Sequence, residues 1–397
     1  MAAPVILFGA FDRHNLGDLL MAHVAAALLP GRALHFAGLA DRDLRAFGGH
    51  EVMALHRLAA SAVGAPCTLL HVGGEILSCD AWQAAVMLLP PQAVQPTVAY
   101  LEERPDERRE WVRRVLGTPA LAPYVASRQD VPGVARVVFN AVGGVGLDRA
   151  DPALRTEVLA KLRAADELSV RDRQTFALLA AAGVPARLLP DPAVMVGELF
   201  GARIARHADL GEVAELRRAF PQGYLAVQFS ADFGDDASLH QIATQLDRVC
   251  GRTGLGVVLF RAGAAPWHDD ADALGRVAAL MPPGTARCFT SLDIWDLCAL
   301  IASSRGFCGS SLHGRIVASA FGLPRLNLRP PVAAARTGKQ AAYAATWDDS
   351  AAPAEVDLPD LADGLQAALA VPPAALRQQA QRLAALYRQG FRPDGGP

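Results

Sequence analysis

The sequence has few lysines, few aromatic residues and no surplus of positive charge. Of its 38 basic side chains only Lys161 and Lys339 are lysines, so an anion site must be built largely from arginine. The 40 acidic side chains leave a formal net charge of −2 at pH 7 over 397 residues. Because binding to a nucleic-acid backbone requires clustered cations, this balance argues against a nucleic-acid partner.

Long apolar runs and paired-cysteine motifs are also missing. No apolar run reaches the roughly 18 residues that a membrane-spanning helix needs, and the first residues carry no cationic stretch typical of a signal peptide. The six cysteines never occur at C-x-x-C spacing and lie mostly in apolar runs, which predicts reduced core thiols rather than disulfides or zinc ligands. We therefore expect a cytoplasmic protein without an integral membrane segment.

Apolar, β-forming runs alternate with helical patterns in two series along the chain. The first series occupies residues 5–9, 33–38, 67–74, 135–142, 167–171 and 186–189, and the second occupies residues 224–230, 256–262, 286–290, 306–309 and 325–328. Continuous apolar strands joined by helices are typical of a parallel sheet that is covered on both faces. The predicted fold is α/β, with two doubly wound Rossmann-like domains facing a cleft at residues 1–200 and 201–350, and a helical tail at residues 351–397. Residues 329–353 show little regular pattern.

The first loop, residues 8–18, joins a strand to an apolar helix. Gly17 permits close approach of a ligand to the backbone, and the start of the helix offers unpaired N–H groups to an anion. Alternatively, Asn15 or Asp18 only caps the helix. Because the glycine spacing is not G-x-G-x-x-G, a dinucleotide is not predicted, and no cofactor is expected.

A second strand end carries Gly73, Gly74 and Glu75. Two glycines at this place leave room for a ligand against the bare backbone, with Glu75 at the mouth of the cleft. A tight turn explains the same two glycines equally well.

A third strand end carries Arg171 and Asp172. Asp172 is a good N-cap for the helix that follows, whereas Arg171 is suitably placed to bind an anionic substrate. The alternative for Arg171 is an ion pair with Asp172 or with Asp191.

The sharpest signal lies in residues 306–324, where a short strand leads to a helix of small residues. Ser310, Ser311 and His313 stand at the start of that helix, beside Gly314. The helix dipole disfavours an imidazolium at this position, so we expect a neutral imidazole that can accept a proton. A histidine with a purely structural role is the alternative.

These motifs, taken in order, resemble those of the polysaccharide pyruvyl transferases over roughly residues 5–330. The matching segments are Asn15-Leu-Gly-Asp18, Gly73-Gly74-Glu75, Ser169-Val-Arg171-Asp172, Asp191-Pro192 and Ser311-Leu-His313-Gly314. The resemblance implies a GT-B-like fold, phosphoenolpyruvate as the donor, and a saccharide or lipid-linked saccharide acceptor whose hydroxyl pair becomes a pyruvate ketal. It places the acceptor and part of the donor site in the first domain, and the rest of the donor site in the second.

The resemblance also implies roles for individual residues. His313 and Arg171 are expected to be catalytic, Arg171 by clamping the donor, with His14 and His71 as the next candidates for a base. Substrate-binding roles are expected for Asn15, Gly17, Asp18, Gly73, Gly74, Glu75, Ser311, Gly314 and Arg315. Acceptor specificity is expected to lie in variable loops such as residues 90–130.

One departure from the family pattern leaves alternatives open. Many members have Arg-Leu-His where this chain has Ser311-Leu-His313, although a Ser-x-His-Gly form resembles a second branch of the family. The second cation for the phosphate is therefore left open, with Arg315 and Arg13 as the substitutes considered. A nucleotide-sugar glycosyltransferase of the same fold is a rival hypothesis, although residues 216–354 contain no glutamate to bind a ribose. A non-catalytic binding homologue is another. No metal site is predicted, since the acidic runs at 232–236 and 269–272 are typical of solvated loops or helix caps.

Overall fold

The structure is a computed structural model that describes residues 3–60, 66–331, 338–349 and 352–393. The chain divides into two compact units, one formed by Met1–Pro192 with Tyr387–Pro397 and the other by Ala193–Leu386. Both units are α/β, as the sequence predicts. None of the helices in the described ranges is long and apolar enough to cross a membrane.

The first unit is built on a sheet of nine strands, counted over the described residues. These are β1 (Val5–Phe8), β2 (Leu34–Gly38), β3 (Arg42–Asp43), β4 (Glu51–Ala54), β5 (Cys67–His71), β6 (Gly74–Glu75), β7 (Val134–Gly143), β8 (Glu167–Val170) and β9 (Arg187–Leu188). The order is β3-β4-β2-β1-β5-β7-β8-β9, with β6 beside β7. Only the edge pair β3–β4 is antiparallel among the described strands. The central strands β1 and β5 are buried along their whole length, because helices cover both faces of the sheet.

The helices of the first unit fill the connections between these strands. They are α1 (Leu16–Ala27), α2 (Leu55–Ala60), α3 (Ala81–Met87), α4 (Pro91–Glu102), α5 (Pro105–Leu116), α6 (Pro152–Arg163) and α7 (Arg173–Ala181). Helix α1 follows β1 directly, so its N-terminus lies at the carboxyl end of the strand. That edge of a parallel sheet is where doubly wound folds bind ligands.

The second unit repeats the pattern with a parallel sheet in the order β12-β11-β10-β13-β14-β15. Its strands are β10 (Tyr224–Gln228), β11 (Gly256–Leu259), β12 (Ala286–Cys288), β13 (Gly306–Gly309), β14 (Arg325–Leu328) and β15 (Glu355–Val356). Its helices are α8 (Val196–Ala208), α9 (Gly211–Ala219), α10 (Asp236–Thr253), α11 (Ala271–Leu280), α12 (Ile294–Ala302), α13 (Leu312–Ala320), α14 (Lys339–Trp347), α15 (Leu361–Leu369) and α16 (Pro373–Gly390). The last turn of α16 belongs to the first unit.

Four parts of the chain differ from the sequence-based expectation. The boundary between units falls after Pro192 rather than after residue 200, because α8 packs in the second unit. Residues 351–397 supply strand β15 as well as helices. Residues 329–353, which show little pattern, contain α14, although residues 332–337 and 350–351 lie outside the described ranges. Residues 90–130, expected to be a loop, contain α4 and α5.

Candidate active site

Glu75 and Arg171 meet at the carboxyl edge of the first sheet. Nη2 of Arg171 lies 2.7 Å from Oε2 of Glu75, and Nη1 lies 2.8 Å from Oδ2 of Asp191. The Arg171 side chain is only 1 % exposed. Burial alone would lower its pKa, but the two carboxylates outweigh burial and raise it. The ion pair with Asp191, one of the alternatives that the sequence left open, is therefore present, and it is joined by Glu75.

The backbone around this ion cluster has little room for side chains. Gly73 and Gly74 have φ angles of 129° and 94°, which a residue with a Cβ rarely adopts. A Cβ on Gly143, at the end of β7, would press against Oε2 of Glu75 and lie 2.7 Å from Nε of Arg171. A side chain at Gly143 would thus push against both members of the ion pair, although no sequence motif singles this glycine out.

Ser169 holds the strand beside the cluster in an irregular shape. Ala141 in β7 has a φ of 47°, and the register between β7 and β8 shifts at this point. The Ala141 N–H donates to the Ser169 hydroxyl at 2.8 Å, and that hydroxyl donates to the Phe139 carbonyl at 3.3 Å. This bulge carries the chain towards Gly143 and the ion cluster.

Arg13 lies in a second buried cluster at the same edge. It donates a hydrogen bond to the Tyr124 hydroxyl, which in turn donates to Oδ1 of Asp12 at 2.9 Å. Oδ2 of Asp12 accepts from the backbone of Leu39 at 2.5 Å. Asp18 approaches Arg13 at 4.0 Å. Arg13, considered above as a substitute cation, is therefore held by a phenol and carboxylates of its own unit.

The N-terminus of α1 is capped by Asn15, as one of the two sequence interpretations predicts. Its side-chain oxygen accepts from the N–H groups of Gly17 at 3.1 Å and Asp18 at 3.4 Å. The Asp18 side chain is 11 % exposed, and its Oδ1 lies 3.2 Å from the position that a Cβ on Gly74 would take. Asp18 and Glu75 therefore flank the same glycine. We call the group Asp12, Arg13, Asp18, Glu75, Arg171 and Asp191 the first edge.

His313 lies in the first turn of α13, at the carboxyl end of β13. Ser311 is the N-cap, and its hydroxyl oxygen accepts from the Gly314 N–H at 3.1 Å. A Cβ on Gly314 would lie 2.5 Å from the Phe307 ring, so only glycine lets the helix start this close to the strand. His313 and Ser311 remain partly exposed.

Neutral hydrogen-bonding groups surround the start of α13. The Ser310 hydroxyl oxygen accepts from the Ser230 N–H at 2.9 Å, and the Ser310 carbonyl accepts from the side-chain amide of Gln340. Gln340 lies in the first turn of α14, so two helices begin beside Ser310. Gln228, at the end of β10, is only 2 % exposed, and its Oε1 has no hydrogen-bond partner among the described residues. We call the group Gln228, Ser230, Ser310, Ser311 and His313 the second edge.

Arg315, predicted to bind substrate, lies away from this edge in a buried ion network. It pairs with Asp348, which also binds Arg325 at 2.7 Å. Burial lowers the pKa of Arg315, and the two arginines hold the pKa of Asp348 at about 2 against the opposing effect of burial. Gln379 accepts from Arg325 at 2.5 Å. This network anchors the end of α14 to α13 and β14, which explains why α13 tolerates a buried cation.

His14 and His71, the next candidates for a base after His313, are both buried. Nδ1 of His71 donates to the Val138 carbonyl at 3.2 Å and Nε2 accepts from the Ala126 N–H at 3.0 Å, which fixes a neutral tautomer. Burial lowers the pKa of His71 to about 3. His14 packs edge-on against Phe47. His71 is therefore a core residue, not a base at the first edge.

The acidic runs act mainly as caps and loop anchors. Asp235 caps α10 and Asp270 caps α11, which confirms the sequence interpretation. Separately, His207, Asp293 and Asp296 bring potential metal-ligand atoms within 4.8 Å of one another. His207 and Asp296 already pair at 2.6 Å, and Asp293 caps α12.

Residues 134–329 match the polysaccharide pyruvyl transferase family, which confirms the resemblance seen in the motifs. The matched segment contains both Arg171 and His313. No curated protein sequence matches the chain.

Solved structures that share the GT-B-like fold include two UDP-GlcNAc 2-epimerases and a trehalose 6-phosphate synthase. UDP-GlcNAc 2-epimerase from Neisseria meningitidis has a TM-score of 0.53 at 10 % identity, over 96 % of this chain and 94 % of the other. The Methanocaldococcus jannaschii UDP-GlcNAc 2-epimerase also gives 0.53, at 9 % identity over 97 % and 100 %. Trehalose 6-phosphate synthase from Burkholderia multivorans gives 0.50, at 13 % identity over 98 % and 93 %. At these identities the likeness establishes the GT-B-like fold and nothing more.

Proposed function

We propose that the protein is a pyruvyl transferase that moves the enolpyruvyl group of phosphoenolpyruvate to a hydroxyl pair of a saccharide and closes a pyruvate ketal. The observation that carries the proposal is His313 in the first turn of α13, partly exposed at a strand end within the family-matched segment. The family name supports the reaction class, and the different charges of the two edges suggest which edge binds the donor and which binds the acceptor.

The second edge suits the anionic donor. The N-terminus of α13 offers backbone N–H groups and the positive end of the helix dipole, and Ser310 and Ser311 add hydroxyls. Two carboxylates border the second edge, since Asp269 accepts from the Gln228 side-chain amide at 2.6 Å and Asp232 accepts from the Ser230 hydroxyl at 3.0 Å. The first turn of α13 itself carries no acidic residue, so the helix start does not repel an anion.

The first edge suits a neutral polyol. Its four carboxylates outnumber its two arginines, and both arginines already bind groups of the first unit. Carboxylates that retain some exposure, such as Asp18 and Glu75, accept hydrogen bonds from sugar hydroxyls. In this proposal Arg171 holds Glu75 in position for the acceptor; its direct contact with the donor stays a prediction.

The chemistry needs one addition to C2 of the donor and then one substitution at that carbon. One acceptor hydroxyl attacks C2 and gives up its proton while the methylene carbon takes up a proton, which gives a tetrahedral phosphate-bearing carbon. The neighbouring hydroxyl then displaces phosphate, and its proton leaves with the phosphate. His313 serves as the base for a hydroxyl or as the proton donor to phosphate, a role suited to an imidazole. No cofactor is required for these steps.

Thermal unfolding with candidate donors tests the proposal. Phosphoenolpyruvate at a hundred times its dissociation constant is expected to stabilise the protein by about 2.7 kcal/mol. UDP-GlcNAc, which two of the fold neighbours bind, serves as the matched ligand of the rival glycosyltransferase hypothesis. Stabilisation by UDP-GlcNAc but not by phosphoenolpyruvate would overturn the proposal.

A further inference from the structure

Arg261 is a cation at the carboxyl end of β11, the strand next to β10. It follows the last residue of β11, Leu259, by two positions and is partly exposed. Arg261 makes no hydrogen bond or ion pair with any residue in the described ranges, although Asp269 attracts it electrostatically. A cation left available at a strand end is the feature that an anionic ligand needs.

The strand register brings Arg261 to the level of the second edge. Val227 is paired with Leu259, and Gln228 with Gly309, so Arg261 stands in the same row as Ser310. Two strand spacings, roughly 10 Å, separate the rows of β11 and β13. A small ligand that lies over the end of β10 is therefore within reach of both the Arg261 side chain, which follows β11, and the start of α13.

The loop that carries Arg261 is fixed to β10 at several points. Oδ2 of Asp269 accepts from the N–H groups of Ala262 at 2.6 Å and Gly263 at 3.2 Å, while Oδ1 accepts from Gln228 at 2.6 Å. The loop is also tied to the residue after Ser230, because the Ala231 N–H donates to the His268 carbonyl at 2.9 Å. Arg261 thus stands on a loop that is tied to Gln228 of the second edge and to Ala231, the residue after Ser230.

Two other cations of the second unit are already neutralised. Arg315 is buried against Asp348. Arg329, just beyond β14, pairs with Glu355 and Asp357, each at 3.0 Å. Lys339, in the first turn of α14, is exposed and precedes Gln340, whose side chain binds the Ser310 carbonyl. Arg261 differs from Lys339 in carrying a planar fork that binds two phosphate oxygens at once.

We infer that Arg261 binds the phosphate of the donor at the second edge and supplies the cation that Ser311 lacks by comparison with the arginine of other family members. The inference rests on the proposed function for the identity of the donor. The anion site itself rests on the register, the loop contacts and the available guanidinium.

Isothermal titration of the full-length protein with phosphoenolpyruvate and with inorganic phosphate tests the inference. Arg261→Gln is expected to weaken the binding of both ligands by about ten- to a hundredfold, the usual effect of losing a charged hydrogen bond. Arg287→Gln, which removes an exposed cation from the outer strand β12, is the matched control and is expected to bind as the wild type does. Unchanged melting temperatures establish that the variants are folded.

The outcomes separate this inference from the proposed function. Binding of phosphoenolpyruvate by Arg261→Gln at wild-type affinity overturns the role of Arg261, and a loss in Lys339→Gln alone assigns the phosphate to Lys339 instead. If the wild type binds phosphate but not phosphoenolpyruvate, and Arg261→Gln loses the phosphate, the anion site stands while the pyruvyl donor fails. If the wild type binds neither ligand, both proposals are wrong.

Discussion

The carboxyl edges of the two sheets have the same architecture but differ in how they carry charge. At the first edge, Arg171 is buried between Glu75 and Asp191, and Arg13 is held by Tyr124 and nearby carboxylates. At the second edge the groups are hydroxyls, amides and an imidazole at the start of a helix. Paired and buried charges are costly to rearrange. The hydroxyls of Ser310 and Ser311 accept backbone N–H groups through their oxygens and can still donate their own protons to an incoming anion.

The difference also shows where each unit keeps its structural ion pairs. The second unit has a buried cluster of the same kind, Arg315 with Asp348 and Arg325, but it joins helices to the sheet away from the strand ends. The first unit keeps its cluster at the strand ends. This contrast is the basis for assigning the anionic donor to the second edge and the neutral acceptor to the first.

Replacing His313 should have the largest effect on the proposed reaction. We expect His313→Ala to lower turnover by roughly a hundred- to ten-thousandfold, the contribution of a positioned proton-transfer group. His313→Gln keeps a hydrogen-bonding side chain, so near-normal turnover in that variant would reduce His313 to a phosphate contact. Turnover is measured as the rate of phosphate release.

A control for His313 is available in the same unit. His240 is exposed on α10, and within the described ranges its side chain bonds only to the backbone of its own helix. His240→Ala is expected to retain wild-type turnover. Normal turnover in His313→Ala would remove the second edge from the chemistry and with it the main reason to contrast the two edges.

Removing the charge of Glu75 should have the next largest effect, and on the acceptor only. Glu75→Gln leaves Arg171 paired with Asp191, so the fold should persist. We expect kcat/KM for the saccharide acceptor to fall by about ten- to a hundredfold, with donor affinity unchanged. Steady-state kinetics with each substrate varied in turn measure both effects. Glu110→Gln, which changes an exposed glutamate, is the control. A loss of donor affinity instead would place donor contacts at the first edge.

The strand ends that matter were predictable from the sequence, because apolar runs and the polar residues after them are local features. Asn15, Glu75, Arg171 and His313 all lie at carboxyl ends of strands or starts of helices, as expected. The ion pair between Arg171 and Glu75 depends on contact between residues 96 positions apart. Sequence spacing gives no information about such a contact.

The burial of Arg315 also depends on a contact that the sequence does not predict. The apolar and small residues around it in α13 indicate a buried helix, in which a cation needs a carboxylate partner. That partner, Asp348, comes from a segment without a regular pattern, 33 positions away. The role of Gly143 could not be predicted from the sequence either, because it depends on the side chains of Glu75 and Arg171 that pass over this glycine.

Gly143→Ala should break the first edge without changing any charge. Its Cβ would meet both Glu75 and Arg171, and overpacking of this kind costs about 1–3 kcal/mol of unfolding free energy. Gly201→Ala is the matched control, because a Cβ there meets nothing within 4 Å and alanine favours the interior of α8. Denaturant unfolding measures both variants. Equal stability of the two would show that the pair tolerates the extra methyl group.

A last expected effect is that the stabilities of the two units depend on pH in opposite directions. Burial lowers the pKa of His71 from 6.5 to about 3, so the first unit should lose stability as pH falls below 6.5, where only the unfolded chain gains the proton. Burial raises the pKa of Asp269 from 3.8 to about 7, so the second unit should lose stability as pH rises through that range, where only the unfolded chain has released its proton.

Hydrogen exchange followed on peptides from each unit measures these two slopes separately. Asp269→Asn removes the titrating group, so the pH-dependent loss between pH 4 and 7 should shrink in second-unit peptides while first-unit peptides keep the wild-type slope. The first-unit peptides thereby serve as the internal control. An unchanged slope in the second unit would mean that Asp269 is ionised throughout this range, which its three N–H donors favour and burial opposes.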